Sequence, residues 1–249
     1  MSLSSRSARP HEQRAAGTDV PIAPPDNDVL RGRELTLTQG PVTLLRGVSA
    51  AARANETLAV TGPSGSGKSA LLACLSGVVA PDSGEVWFNS SPVHVLDEKG
   101  RTALRRRHFG IIDGRTRLLP ELTVAENVAL PLLLDRVRRS EAFAHARHWM
   151  ERLDVTEHAE CRPRGLGPAL IRRAAVARAL VTRPVVVFAD EPAHTLSGPE
   201  LDHLMRILVS ATRSHGITLV LATADARVAA HADRLLPLRD GRPDPHGEW

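Results

Sequence analysis

Tyrosine is absent from this chain of 249 residues, and aromatic residues make up only 3% of it. That counts against the aromatic stacking platforms that hold single-stranded nucleic acid. Cysteine is almost absent too. Cys74 and Cys161 form no metal-ligand or redox spacing and no disulfide framework, which points to a reducing interior. Cys74 sits among apolar residues and reads as a small core residue. No uninterrupted apolar run reaches the roughly 18 residues of a membrane span, and the N-terminus carries no hydrophobic signal core. The expectation is a soluble, cytoplasmic protein. Lysine is nearly missing as well: Lys68 and Lys99 are the only two among 32 basic residues. The net charge of +4 is spread along the chain and does not by itself imply nucleic acid.

What is present suits one α/β domain with a subdomain inserted. An apolar fraction of 42% is enough for a sizeable core. Residues 1–28 are rich in Ser, Arg, Ala and Pro and read as a disordered tail. A folded domain is expected over 29–242, with a short tail at 243–249. Glu34–Thr38 and Val42–Leu45 read as strands around a turn at Gly40-Pro41. The pattern is mainly helical from about 97 to 182. There, Thr123-Val124-Ala125-Glu126 has capping-box spacing and Glu141–Leu153 is amphipathic. Alternation then resumes, with strands at 185–190, 217–222 and 234–238 and a helix at 199–214. Lys99, Arg101, Arg105, Arg106 and Arg107 form a basic cluster that reads as one solvated helix face, the alternative being a surface for phosphates or acidic partners.

The chemistry concentrates at Gly62-Pro63-Ser64-Gly65-Ser66-Gly67-Lys68-Ser69, which matches the phosphate-binding P-loop pattern. Thr57–Thr61 before it reads as a buried strand, and Ala70–Leu75 after it as a buried helix. Strand, glycine-rich loop and helix together aim backbone N–H groups and a helix N-terminus at one anion. A compact lysine ammonium fits between phosphates where a guanidinium is too wide. Ser69 would offer its hydroxyl to Mg²⁺. The second half of the site is Val185–Glu191, an apolar run that ends in two carboxylates. Its β-branched content suits a central parallel strand buried on both faces. Asp190 would hold Mg²⁺ through water, and Glu191 would orient or deprotonate an attacking water.

On these residues the chain resembles the ATP-binding subunits of ATP-binding cassette (ABC) transporters, of the lipoprotein-release and macrolide-efflux type. Gly62–Ser69 matches the Walker A motif and Val186–Glu191 the Walker B motif. Pro81–Gly84, Leu118–Pro120, Leu122–Val128, Ala177–Leu180 and Arg239–Arg242 match further family segments. The resemblance implies a P-loop NTPase fold of the ABC type, with an antiparallel β subdomain and an inserted helical subdomain. It also implies ATP and Mg²⁺ as ligands and a membrane permease subunit as partner. A second ABC subunit, identical or not, would complete the dimer. No nucleic acid is expected, and the place implied is the inner face of the cell membrane, held peripherally by the permease.

The departures from that pattern carry as much meaning as the matches. The family's Q-loop glutamine falls at Gly114, with Asp113 as a neighbouring oxygen donor. Its Leu-Ser-Gly-Gly-Gln signature falls at Leu166-Gly167-Pro168-Ala169-Leu170, where only the leucine survives. The D-loop aspartate falls at Ser197, the switch histidine at Ala224 and the adenine-stacking aromatic at Gln39. His194 and His215 are conceivable replacements for the lost histidine. The resemblance therefore implies an ATP-binding transporter subunit with impaired hydrolysis. The competing expectation is a non-hydrolysing partner of a permease or of an active cassette.

Overall fold

The computed structural model describes residues 28–114 and 118–244. The tail expected over 1–28 lies outside the described residues except for Asp28, and most of 243–249 does too. Strand β1 (Asp28–Gln39) and strand β2 (Val42–Arg53) form a long antiparallel hairpin. Gly40 makes the turn at φ 59°, a left-handed value that glycine adopts without strain. Strand β3 (Thr57–Thr61) is fully buried and runs through the glycine-rich loop into helix α1 (Lys68–Leu75). Strands β4 (Ser83–Phe88) and β5 (Ser91–Pro92) complete a four-stranded antiparallel sheet in the order β2-β1-β4-β5.

Helix α2 (Glu98–His108) leads into strand β6 (Phe109–Ile112), which lies inside the stretch expected to be helical. Four apolar residues directly after a helix leave too short a pattern to separate strand from helix. Helices α3 (Val124–Leu134), α4 (Arg139–Arg152) and α5 (Pro168–Leu180) follow. Strand β7 (Val186–Asp190), helix α6 (Gly198–Ser214), strand β8 (Thr218–Thr223), helix α7 (Ala226–Ala229), and strands β9 (Arg234–Arg239) and β10 (Arg242–Pro243) end the described chain. The second sheet has six strands in the order β10-β9-β3-β8-β7-β6. All its neighbours pair in parallel except β10, which is antiparallel to β9.

Strand parity decides which core each residue enters. Ala59, Val187, Ala189, Leu219 and Leu221 point to one face, against α3, α4, α5 and α6. Leu58, Val60, Val186, Phe188, Val220 and Ala222 point to the other, against α1 and the antiparallel sheet. Neither face is left to water, and that is why these strands read as continuous apolar runs. A ladder of edge-to-face rings ties the two sheets together: Phe88 to Phe109 at 5.0 Å, and Phe109 to Phe188 at 5.2 Å. Each such pair contributes about 0.5–1.5 kcal/mol beyond its buried area. The basic cluster on α2 is partly structural. Arg101 donates to Leu96 O at 2.7 Å, Arg105 to Gly77 O, and Arg106 to Leu134 O at 3.1 Å and to Asp135.

A cleft between the glycine-rich loop and the ends of three strands

The loop and helix α1 present an anion cradle. Gly67 occupies the N-cap at φ 101°, and no side chain caps the helix. Its first amide N–H groups are therefore left for a ligand. Two glycines are sterically required. A Cβ at Gly62 would sit 2.3 Å from Leu238 O, and one at Gly67 would sit 2.6 Å from Leu44 O. Lys68 is only 6% exposed, and its Nζ donates to Gly62 O at 2.8 Å and to Pro63 O at 2.9 Å. Burial pulls its pKa down from the ordinary lysine value, and the Glu191 and Asp190 carboxylates oppose that shift.

Strand β7 delivers the carboxylates to the same place. The Asp190 side chain hydrogen-bonds Ser69. Its Oδ1 is nevertheless buried with no hydrogen-bond partner. Burial raises the Asp190 pKa, and the Ser69 hydrogen bond works against that rise. A buried orphan carboxylate oxygen beside a hydroxyl is the donor set that a hard divalent cation prefers. Ser69 and Asp190 therefore fit Mg²⁺. Glu191 follows at φ 45°, a left-handed backbone that is uncommon for a residue with a side chain. Its carboxylate accepts from Thr223 Oγ1 at 3.2 Å and from the Ala224 N–H at 3.0 Å.

Gly65, Lys68, Ser69, Glu191, His194 and Ala224 are among the residues that line one cleft of about 800 Å³, and Asp190 stands behind that lining, hydrogen-bonded to Ser69. The volume lies within the range of small-molecule and cofactor sites. The predicted loop and its two carboxylates thus converge. Gln39 is not part of the lining. Leu44 of β2 does line the cleft, and its carbonyl lies close to Gly67. Of the two candidate replacement histidines, His194 lines the cleft and His215 does not. The His215 ring instead packs 4.6 Å from Trp149 and hydrogen-bonds Ala211 O at 2.9 Å, at the far end of α6.

Comparison with known proteins agrees with this geometry. The family described as "ABC transporter" matches residues 45–194. The uncharacterized ABC transporter ATP-binding protein YbbA of Escherichia coli (strain K12) is 39% identical over 201 residues, covering 81% of this chain and 88% of that protein. The chain belongs to the ABC transporter ATP-binding family. The lipoprotein-releasing system ATP-binding protein LolD of Bordetella pertussis is 38% identical over 209 residues, covering 83% of this cassette and 90% of LolD. Among solved structures, the dimeric post-hydrolysis state of the cassette MJ0796 bound to ADP and Pi superposes with a TM-score of 0.80 at 28% identity. That match covers 86% of this cassette and 96% of MJ0796.

The positions expected to depart from the family pattern fall in two places. Gly114 packs against the end of β7, where a Cβ would lie 3.0 Å from Asp190 O and 3.3 Å from the Glu191 Cβ. Ala224 also borders the cleft. Leu166–Leu170, in contrast, do not line it. Gly167 is the N-cap of α5 and Pro168 its first residue, and both are exposed. Ser197, the N-cap of α6, is likewise exposed and caps nothing with its side chain.

Proposed function

We propose that this cassette is the ATP-binding subunit of an ABC transporter, and that it couples the binding of ATP with Mg²⁺ to a membrane permease. One observation carries the reading: Lys68, Ser69 and Glu191 line a single cleft beneath an uncapped helix N-terminus, and Asp190 joins them through its hydrogen bond to Ser69. Gly62–Ser69 grip the phosphates, Ser69 and Asp190 hold the metal, and Glu191 orients water. The names of YbbA and LolD support the transport role, and the ADP-bound MJ0796 dimer supports a nucleotide cleft and a second cassette subunit. Among the described residues no helix is long and apolar enough to cross a membrane. A separate permease would supply the path, and this subunit would sit peripherally on its inner face.

Hydrolysis is expected to be slow. Gly114 and Ala224 bring no side chain to the cassette's own cleft that could position water or steady charge. The segment Leu166–Leu170, exposed at Gly167 and Pro168, would face the partner subunit's nucleotide, yet it has no hydroxyl, and Pro168 has no N–H. Each positioned proton-transfer or charge-stabilising group is worth about 10²–10⁴ in rate. These same residues favour the second reading, a subunit that binds ATP without hydrolysing it.

Calorimetric titration of the full chain with Mg·ATP, alongside steady-state turnover, tests both readings. Wild type should bind, Lys68→Ala should not, and any turnover should vanish in Glu191→Gln. Absence of binding to wild type overturns the proposal. Binding without turnover above the Glu191→Gln background selects the non-hydrolysing subunit.

A further inference from the structure

Arg172 on α5 is buried, with only 7% of its surface exposed, although it carries a guanidinium. An arginine is rarely hidden to that extent unless its donors are matched. Here they are matched to backbone carbonyls of two different loops. Nη1 donates to Asp113 O at 3.1 Å, and Nη2 donates to Gly114 O and to His194 O, the latter at 3.2 Å. Asp113 and Gly114 follow β6, and His194 lies in the turn after β7. Burial lowers the guanidinium's pKa from its ordinary value, and the Asp113 carboxylate counteracts this.

The turn after β7 lines the cleft through His194. The His194 N–H donates to Glu191 O at 3.0 Å, so the turn bonded to Arg172 is the one that holds Glu191 in its left-handed backbone. Gly114 lies against the end of β7, where an added Cβ would come within 3.0 Å of Asp190 O. Arg172 itself stands on the second turn of α5, the helix that begins with the exposed Gly167-Pro168 segment. Five N–H donors in a rigid fork allow one side chain to hold both loops, which a lysine ammonium does less well.

We propose that Arg172 is a positioning residue that links the helical insert to the nucleotide cleft, by clamping the loop after β6 and the Glu191 turn to α5. It rests on the nucleotide site proposed above. When Mg²⁺ and ATP engage Asp190 and Glu191, the two loops shift as a unit and carry α5 and its exposed N-terminus with them. Loops joined through one buried fork are the kind of contiguous, two-sided contact through which such coupling travels.

Hydrogen exchange on the full chain, with and without saturating Mg·ATP, separates the clamp from a generic packing role. In wild type, Mg·ATP should slow exchange both in the P-loop and in the first two turns of α5. In Arg172→Met the affinity for Mg·ATP should stay within about twofold and P-loop protection should persist. Protection of α5 should then fall at least fivefold, and the His194 and Leu196 amides should exchange at least tenfold faster even without nucleotide. Arg172→Lys, with one point charge, should restore only part of both effects. If Arg172→Met does not fold, Arg172→Gln supports the same comparison. Wild-type values for α5 protection and for the His194 and Leu196 amides in the variant would overturn the clamp. Lack of Mg·ATP binding to wild type would sink the nucleotide reading instead, while the nucleotide-free exchange would still judge the clamp.

Discussion

Asp190 shows what a buried acid costs the fold. Its carboxylate is buried, one oxygen is unpaired, and its pKa is raised. A carboxyl with a raised folded pKa stabilises the fold below its unfolded pKa, and that contribution is lost as pH rises through the raised value. Once ionised, Asp190 therefore works against the nucleotide-free protein. Asp190→Asn should raise the melting temperature of the nucleotide-free chain by roughly 1–3 °C. The same variant should lose the extra stabilisation that Mg²⁺ gives in the presence of ATP, and scanning calorimetry with and without magnesium checks both signs. The cysteines make a second contrast. Burial pushes the Cys74 thiol up to about 12, while Cys161 is exposed. A thiol reagent at pH 8 should label Cys161 alone in the native protein and both in denaturant, as mass spectrometry would show.

At the level of elements, local signals translated well where the chain itself supplies both partners. The capping box read from Thr123 and Glu126 is present in both directions: Thr123 Oγ1 accepts from Glu126 N–H at 3.1 Å, and Glu126 Oε2 accepts from Thr123 N–H at 3.0 Å. Thr123→Ala should lower stability by about 1 kcal/mol, measured by denaturant unfolding, and leave nucleotide affinity untouched. The P-loop, its strand and its helix were legible for the same reason, since their residues are neighbours in sequence. So was β7, whose apolar run ends in its two acids. Leu44, Arg172 and the Ala224 N–H were not legible. Their roles arise from contacts distant in sequence: Leu44 and Ala224 line the cleft and Arg172 bonds the carbonyls of Asp113, Gly114 and His194, and nothing in their own sequence marks those roles. Strand β6 was hidden by brevity, and only the pairing of Phe109–Ile112 with Val186–Ala189 makes it a strand.

For the molecule as a whole, the helical insert and the parallel sheet share one core. Trp149 and Val128 of the insert belong to the same buried cluster as Ala59, Val187 and Leu221 of the sheet. Trp149 is fully buried, so Trp149→Ala should cost about 3–5 kcal/mol. The loss should appear as a lower midpoint of one transition, coincident by tryptophan fluorescence and far-ultraviolet circular dichroism, rather than as early melting of the helices alone. A separate early helical transition would show that the insert folds by itself.

That continuity limits how such proteins can be recombined. An engineer who grafts helices α3 to α5 from a cousin would be laying a foreign roof on these rafters. Ala59, Val187 and Leu221 would have to be exchanged together with the graft, although none of them lies anywhere near the surface being redesigned.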